Sequence, residues 1–272
     1  MGSVYFVLFA FILLFHCHRT DLKGDLVRNA VLRSETLAED TNCPWGLPIH
    51  TMTIAGIEEK VIQREGYTLQ HSSLYKSALW VCEEIRSEEL TGPTKRKNRF
   101  LPDPELEKGK RAENSDYTNS GYDRGHLAAA DNYKSSQRLN DETFYLSNIA
   151  PQIHSFNAGI WKRLEDGSRN WARKYGSVYV ITGSLFQDER TIGENEVRVP
   201  THFFKIVILK KGEDEIEGGV FTFPHQKAAP GTKLKGALYP LSWVEERSNL
   251  RFFPARGNSD TEILPLPDLY EE

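Results

Sequence analysis

Apolar residues recur with two different periods along this chain, and the change of period marks out its elements. Strand-like runs bounded by polar residues occur first at Val61–Leu69 and Ser77–Cys82, the second centred on Ala78-Leu79-Trp80-Val81. Ser177–Gly183, with Val178-Tyr179-Val180-Ile181 inside it, reads as a central strand. Thr201–Leu209, Gly219–Phe223 and Leu250–Phe253 read as further strands. Between Asn157 and Lys174 the period lengthens: Ile160, Trp161, Leu164 and Trp171 fall on one helical face, with charges on the other. Pro240–Arg247 predicts a shorter helix. Phe144-Tyr145-Leu146, within Asn140–Asn148, predicts a short buried strand or turn. Ser87–Gly121 shows neither period and is rich in Pro, Gly, Lys, Asn and Asp, so it is read as loop. A loop of that length inside a domain is commonly functional. The pattern predicts an α+β domain over residues 42–260 with an antiparallel or mixed sheet.

The ends differ from this body. Val4–Phe15 is an unbroken apolar run of twelve residues with no charge before Arg19. A membrane span needs about 20 residues, so the run fits the apolar region of a secretory signal. Phe15-His16-Cys17-His18 is a poor cleavage site, which leaves an uncleaved membrane anchor as the alternative. A mitochondrial leader would be amphipathic and Arg-rich, and this segment is neither. The expectation is therefore a signal peptide or anchor at 1–20, a polar linker at 21–41, and a loose acidic tail at 261–272. Secretion is the expected location, with membrane anchoring or a mitochondrial site as alternatives.

Composition alters this picture only locally. Hydrophobic residues at 39% and charged residues at 26% exclude a disordered chain. The net charge of −4 argues against a uniformly basic surface, yet Lys95, Arg96, Lys97 and Arg99 crowd onto the long loop. The three cysteines, Cys17, Cys43 and Cys82, form no CxxC pair or Cys/His cluster of the kind zinc requires. In an oxidising compartment Cys43 and Cys82 would pair; otherwise they are two separate buried thiols, and spacing does not choose.

The chemistry concentrates after the loop, in Asp123-Arg124-Gly125-His126. A histidine accepts a proton near neutral pH. On an extended segment Arg124 points to the same side as His126, and Gly125 between them permits close approach. A base that activates water, beside a guanidinium that binds phosphate oxygens, is what phosphodiester hydrolysis calls for. On the helix, Asn157 and Glu165 stand about 80° apart and roughly 12 Å along the axis. One can bind a small hard cation while the other holds that cation's waters, an arrangement that suits Mg²⁺. Asn157 is equally well placed to be a helix cap, and Asn148 to be a turn former before Pro151.

Three ordered blocks carry a resemblance: Asp123–His126, Leu146-Ser147-Asn148-Ile149-Ala150-Pro151-Gln152, and Asn157-(x)3-Trp161-(x)2-Leu164-Glu165-(x)3-Arg169. Together they resemble the DNA/RNA non-specific endonucleases, the ββα-metal nucleases of the endonuclease G type, from about Cys43 to Pro254. The resemblance implies a ββα-metal fold with a mostly antiparallel central sheet flanked by helices. It implies His126 as general base, Asn157 as the one direct protein ligand of Mg²⁺ (with Mn²⁺ as substitute), and Glu165 as the residue ordering the metal's waters. Asn148 would position the site, and Arg124 and Arg169 would contact or steady phosphate. An upstream substrate-binding arginine falls on Arg96 or Arg99, and the resemblance does not choose. DNA and RNA are the implied partners and a homodimer the implied assembly. Asp131 is a departure, since relatives usually carry a small residue there. The alternative function is a relative that holds nucleic acid without cutting it, against which intact His126, Asn157 and Glu165 speak.

Overall fold

The computed structural model describes residues 40–52, 58–210, 216–256 and 263–265, all within one unit, Glu39–Glu272. The expected signal or anchor lies outside the described residues, as do most of the linker and most of the tail. The strands are β1 (Ile49–His50), β2 (Glu59–Gln63), β3 (Tyr67–Ser72), β4 (Ser77–Arg86), β5 (Asp123–His126), β6 (Ile149–Gln152), β7 (Ser177–Leu185), β8 (Thr191–Ile192), β9 (Val197–Arg198), β10 (His202–Lys210), β11 (Ile216–Pro224), β12 (Leu250–Arg251) and β13 (Leu264–Pro265). The large sheet runs β13-β11-β10-β7-β4-β3-β2. Its six strands from β11 to β2 pair antiparallel, and β13 alone joins the edge in parallel. The expected α+β class with a mostly antiparallel sheet is what the chain adopts.

Period two is visible in the way this sheet divides its side chains. Along β10, Phe203, Val207 and Leu209 belong to one core, with Ile160, Trp161, Leu164 and Trp171 of the helical segment. Phe204, Ile206 and Ile208 belong to the other, with Val244 and Phe252. Each face is thus covered by a helix, Lys162–Tyr175 on one and Leu241–Ser248 on the other. Burial of apolar area on both sides supplies most of the driving force, at about 25 cal/mol per Å². One position breaks the pattern. Lys205 lies on the face of Phe203 and Val207 and is 1% exposed.

Several sequence expectations are corrected. Val61–Leu69 is not one strand but the hairpin β2–β3, turned at Arg64–Gly66, where the Arg64 amide donates to the Tyr67 carbonyl. Of the strand or turn expected at Phe144–Leu146, the turn is what forms: Thr143-Phe144 turns between a helix at Gln137–Glu142 and a 3₁₀ turn at Leu146–Asn148. The loop after Ser87 is bounded by a 3₁₀ turn at Ser87–Leu90 and a short helix at Asn114–Tyr117. Asn157 is not an N-cap, because the helical run opens three residues earlier at His154–Phe156, and Asn157 itself has helical φ/ψ. Cys43 and Cys82 form a disulfide, which ties the segment before β1 to the middle of β4.

Candidate active site

DRGH forms β5, paired antiparallel with β6 so that Asp123 faces Gln152 and His126 faces Ile149. The helical segment follows at once, giving a compact ribbon-plus-helix unit. The Trp161 indole N–H donates to the His126 carbonyl (3.4 Å) and fastens the ribbon to the helix. Asn148 fastens it from below. Its Oδ1 accepts from the Ala128 amide and its Nδ2 donates to the Ala128 and Thr143 carbonyls, each at 2.9 Å. Every bond of that buried carboxamide goes to backbone, so Asn148 positions the strand end and has no donor left for substrate.

The two faces of β5 carry different groups. On one, His126 stands in an aromatic slot, 5.5 Å from the Phe100 ring and edge-on to Phe144 at 4.8 Å. Arg124 shares that face, its guanidinium 5.5 Å from Phe100 and 5.4 Å from Tyr117. It also donates to the Asn114 carbonyl (3.0 Å). Burial pushes the His126 pKa down to about 3, helped by the nearby charge of Arg96. The ring is therefore neutral at pH 7, and its Nε2 has no hydrogen-bond partner. The long loop reaches the site because Leu101 and Tyr145 form a bridge, which brings Arg96 over the Phe144 ring (5.2 Å). Asp103 anchors the loop's far side: it is fully buried, paired with Arg64 (2.7 Å) and bonded by the Ser147 hydroxyl.

On the other face Asp123 meets the start of the helix. Its Oδ2 accepts from Asn157 Nδ2 and from His154 Nδ1, both at 2.9 Å. A carboxylate only accepts, so these bonds orient the Asn157 carboxamide with its amide toward Asp123. Its Oδ1 carries no protein hydrogen bond among the described residues. Gln152 is fully buried on the same face, and neither its Oε1 nor its Nε2 has a partner. It packs so closely over Gly125 that any Cβ there would collide with it. Asn157–Trp161 forms a π-helical turn, kinked at Gly159 (φ −102°, ψ −113°), before the regular helix Lys162–Tyr175.

Glu165 lies on the first turn of that helix, half-buried, and its carboxylate has no hydrogen-bond or ion-pair partner among the described residues. Burial raises its pKa to about 7 against the pull of Lys205 and Arg169, with Glu83 and Asp131 adding repulsion. Lys205 Nζ donates to Thr182 Oγ1 (2.6 Å) and lies 5.1 Å from the Trp161 ring. Arg169 is 4% exposed and bonds Asn132 Oδ1 (3.1 Å) and Asp166 Oδ1 (2.5 Å). It supports the helix from within and is not presented to a phosphate.

Comparison with known proteins gives the unit a context. Residues 49–258 match the family described as DNA/RNA non-specific endonuclease. The chain is 41% identical over 203 residues to human mitochondrial endonuclease G, covering 70% of this chain and 68% of that protein. It is 32% identical over 212 residues to nuclease C1 of Cunninghamella echinulata var. echinulata, covering 73% and 84%. A crystal structure of an EndoG/EndoGI complex aligns with a TM-score of 0.75 and 30% identity, over 85% of this chain and 96% of that one. The chain belongs to the DNA/RNA non-specific endonuclease family. It is a phosphodiester hydrolase of a family of metal-dependent nucleases, with the α+β fold of its endonuclease G relatives.

The residues at the ribbon fit the metal such a nuclease needs. Among the described residues no group of three or more His, Cys, Asp and Glu could hold an ion. What the Asp123 face offers instead is hard oxygen chemistry: the unspent Oδ1 of Asn157 and, across the ribbon from Asp123, the orphaned, buried Gln152 amide. Few protein donors and several waters suit Mg²⁺ better than zinc.

Sequence reasoning named His126, Arg124, Asn148, Asn157 and Glu165, and the structure gathers the first four around one ribbon. It places Arg96, not Arg99, where its charge is felt by His126. It adds Phe100 and Phe144 as the walls of the histidine slot, Asp123 as the holder of Asn157, and His154 on the same Asp123 oxygen. Of these only Asp123 had a local signal, three residues before His126. Lys205 had one too, a lone charge in an apolar strand.

Proposed function

We propose that this enzyme cuts DNA and RNA with little sequence preference, using His126 as general base and Asn157 as the direct ligand of Mg²⁺. The observation that carries this reading is the state of His126: neutral, walled by Phe100 and Phe144, with Nε2 unpartnered and Arg124 on the same strand face. His126 takes a proton from a water, which attacks phosphorus. Arg124, already turned toward the slot, offsets the charge that builds on the phosphate oxygens. Asn157, oriented by Asp123, presents its carbonyl oxygen, and Glu165 orders the surrounding waters. Mg²⁺, when bound there, supplies Lewis-acid stabilisation of the charged transition state and of the departing 3′ oxygen. Arg96 contacts the backbone of the substrate from the basic loop. The Cys43–Cys82 bridge favours an oxidising compartment, in keeping with export.

General base catalysis contributes about 10²–10⁴-fold. His126→Ala should therefore slow plasmid nicking in Mg²⁺ by at least about 10²-fold, and EDTA should stop the wild type. A folded His126→Ala protein with near wild-type nicking would refute the assignment. Asn157→Ala should lose metal-dependent activity while keeping its circular dichroism spectrum.

A further inference from the structure

A helix leaves its first amides without intrahelical partners, and something must receive them. The helical run that carries Asn157 has no side-chain cap of its own at Ile153. The Ile153 amide is instead received by His225 Nε2 at 2.8 Å, a residue 72 positions away that follows the end of β11. The other ring nitrogen, Nδ1, lies 2.8 Å from the Pro200 carbonyl. A carbonyl only accepts, so Nδ1 carries the proton and Nε2 is the bare acceptor. Burial lowers the His225 pKa, which keeps this neutral form at pH 7.

The ring's neighbours give this bond its importance. Phe156 and Phe203 meet it edge-on at 5.4 and 5.1 Å, and Tyr122 lies 6.0 Å away. Tyr122 immediately precedes Asp123, and Phe156 immediately precedes Asn157. One imidazole thus braces the chain on both sides of the Asp123–Asn157 hydrogen bond. We propose that His225 is a positioning residue for divalent-cation binding: it caps the helix start from just beyond the end of β11 and so fixes where Asn157 presents its carbonyl oxygen. This rests on Asn157 being the metal ligand.

The test uses the full chain and three variants. His225→Phe keeps an aromatic ring among Phe156, Phe203 and Tyr122 but removes both nitrogens. His225→Gln keeps an acceptor oxygen, and Asn157→Ala is the reference for metal loss. Two quantities are measured: amide hydrogen exchange at Ile153 without metal, and Mn²⁺ affinity from the free-ion electron paramagnetic resonance signal. We expect His225→Phe to exchange at least about tenfold faster at Ile153 and to bind Mn²⁺ at least about fivefold more weakly, with His225→Gln intermediate. Wild-type exchange in His225→Phe overturns the cap. Faster exchange with wild-type Mn²⁺ affinity overturns the positioning role, provided Asn157→Ala has lost binding. If Asn157→Ala binds Mn²⁺ like wild type, the ligand assignment fails, and exchange still judges the cap. Should His225→Phe fail to fold, His225→Gln carries both measurements: wild-type values for both overturn the proposal, and intermediate values support it.

Discussion

Glu165 offers a test of how far the site is held at the expense of stability. Its pKa rises from the ordinary 4.5 to about 7, burial being the main cause. A carboxyl with a higher pKa folded than unfolded binds its proton more tightly in the native state. Its contribution to stability is full below pH 4.5 and is lost as pH rises through about 7. The whole difference, at about 1.4 kcal/mol per pH unit, corresponds to about 3 kcal/mol, and water reaching the half-buried carboxylate reduces this to about 1–3. Glu165→Gln has nearly the same shape and no titration. Urea denaturation in EDTA should therefore find the variant equal to wild type at pH 4.5 and about 1–3 kcal/mol more stable at pH 8. Nicking activity at pH 8 with Mg²⁺ should fall in the same protein. A stability difference that stays flat from pH 4.5 to pH 8, or a variant less stable at pH 8, would show that the carboxylate is not strained by its surroundings.

Three further outcomes follow from the geometry. Gly125→Ala forces the buried Gln152 aside, an overpacking that costs about 1–3 kcal/mol. Its melting temperature should drop by about 2–10 °C and its nicking by at least about tenfold; an unchanged melting curve would contradict the packing. Arg96→Ala should raise the His126 pKa seen by NMR titration and reduce the salt dependence of DNA binding by about one charge, whereas Arg99→Ala should leave that pKa unmoved. Cys43→Ala opens a bridge between residues 39 apart, which on a loop-entropy basis costs about 4 kcal/mol in urea denaturation; a loss under about 0.5 kcal/mol would mean that the bridge is not a structural staple.

The sheet's two-faced alternation and the amphipathic helix were legible because burial imposes period two and period 3.6 on neighbouring residues. β7, β10 and β11 follow from their apolar runs within a residue or a few at each end. Misreadings fell where distant contacts decide. Val61–Leu69 reads as one strand because only Gly66 marks the turn. Asn157 reads as a cap because the true start, Ile153-His154, has no capping residue of its own; its acceptor, His225, follows the end of a distant strand. Arg169 reads as a surface cation until Asn132 and Asp166 close around it. The cysteine pair had no local signature, since spacing along the chain says nothing of spacing across a sheet. The base and ligand candidates stood out because Asp123–His126 and Asn157–Glu165 are chemically dense over few residues.

The π turn at Asn157–Trp161 makes chain length itself part of the site. Such a turn acts as one surplus residue lodged in a regular helix. Counted that way, Asn157 and Glu165 are separated by seven helical steps, and their angular offset shrinks from about 80° to about 20°. On that count, two groups that an uninterrupted helix would aim apart fall closer to one line. By the same count, adding one residue between them, beside exposed Ala158 for instance, would swing the carboxamide about 100° away from Glu165 without altering one functional group, whereas losing one would only restore a regular helix.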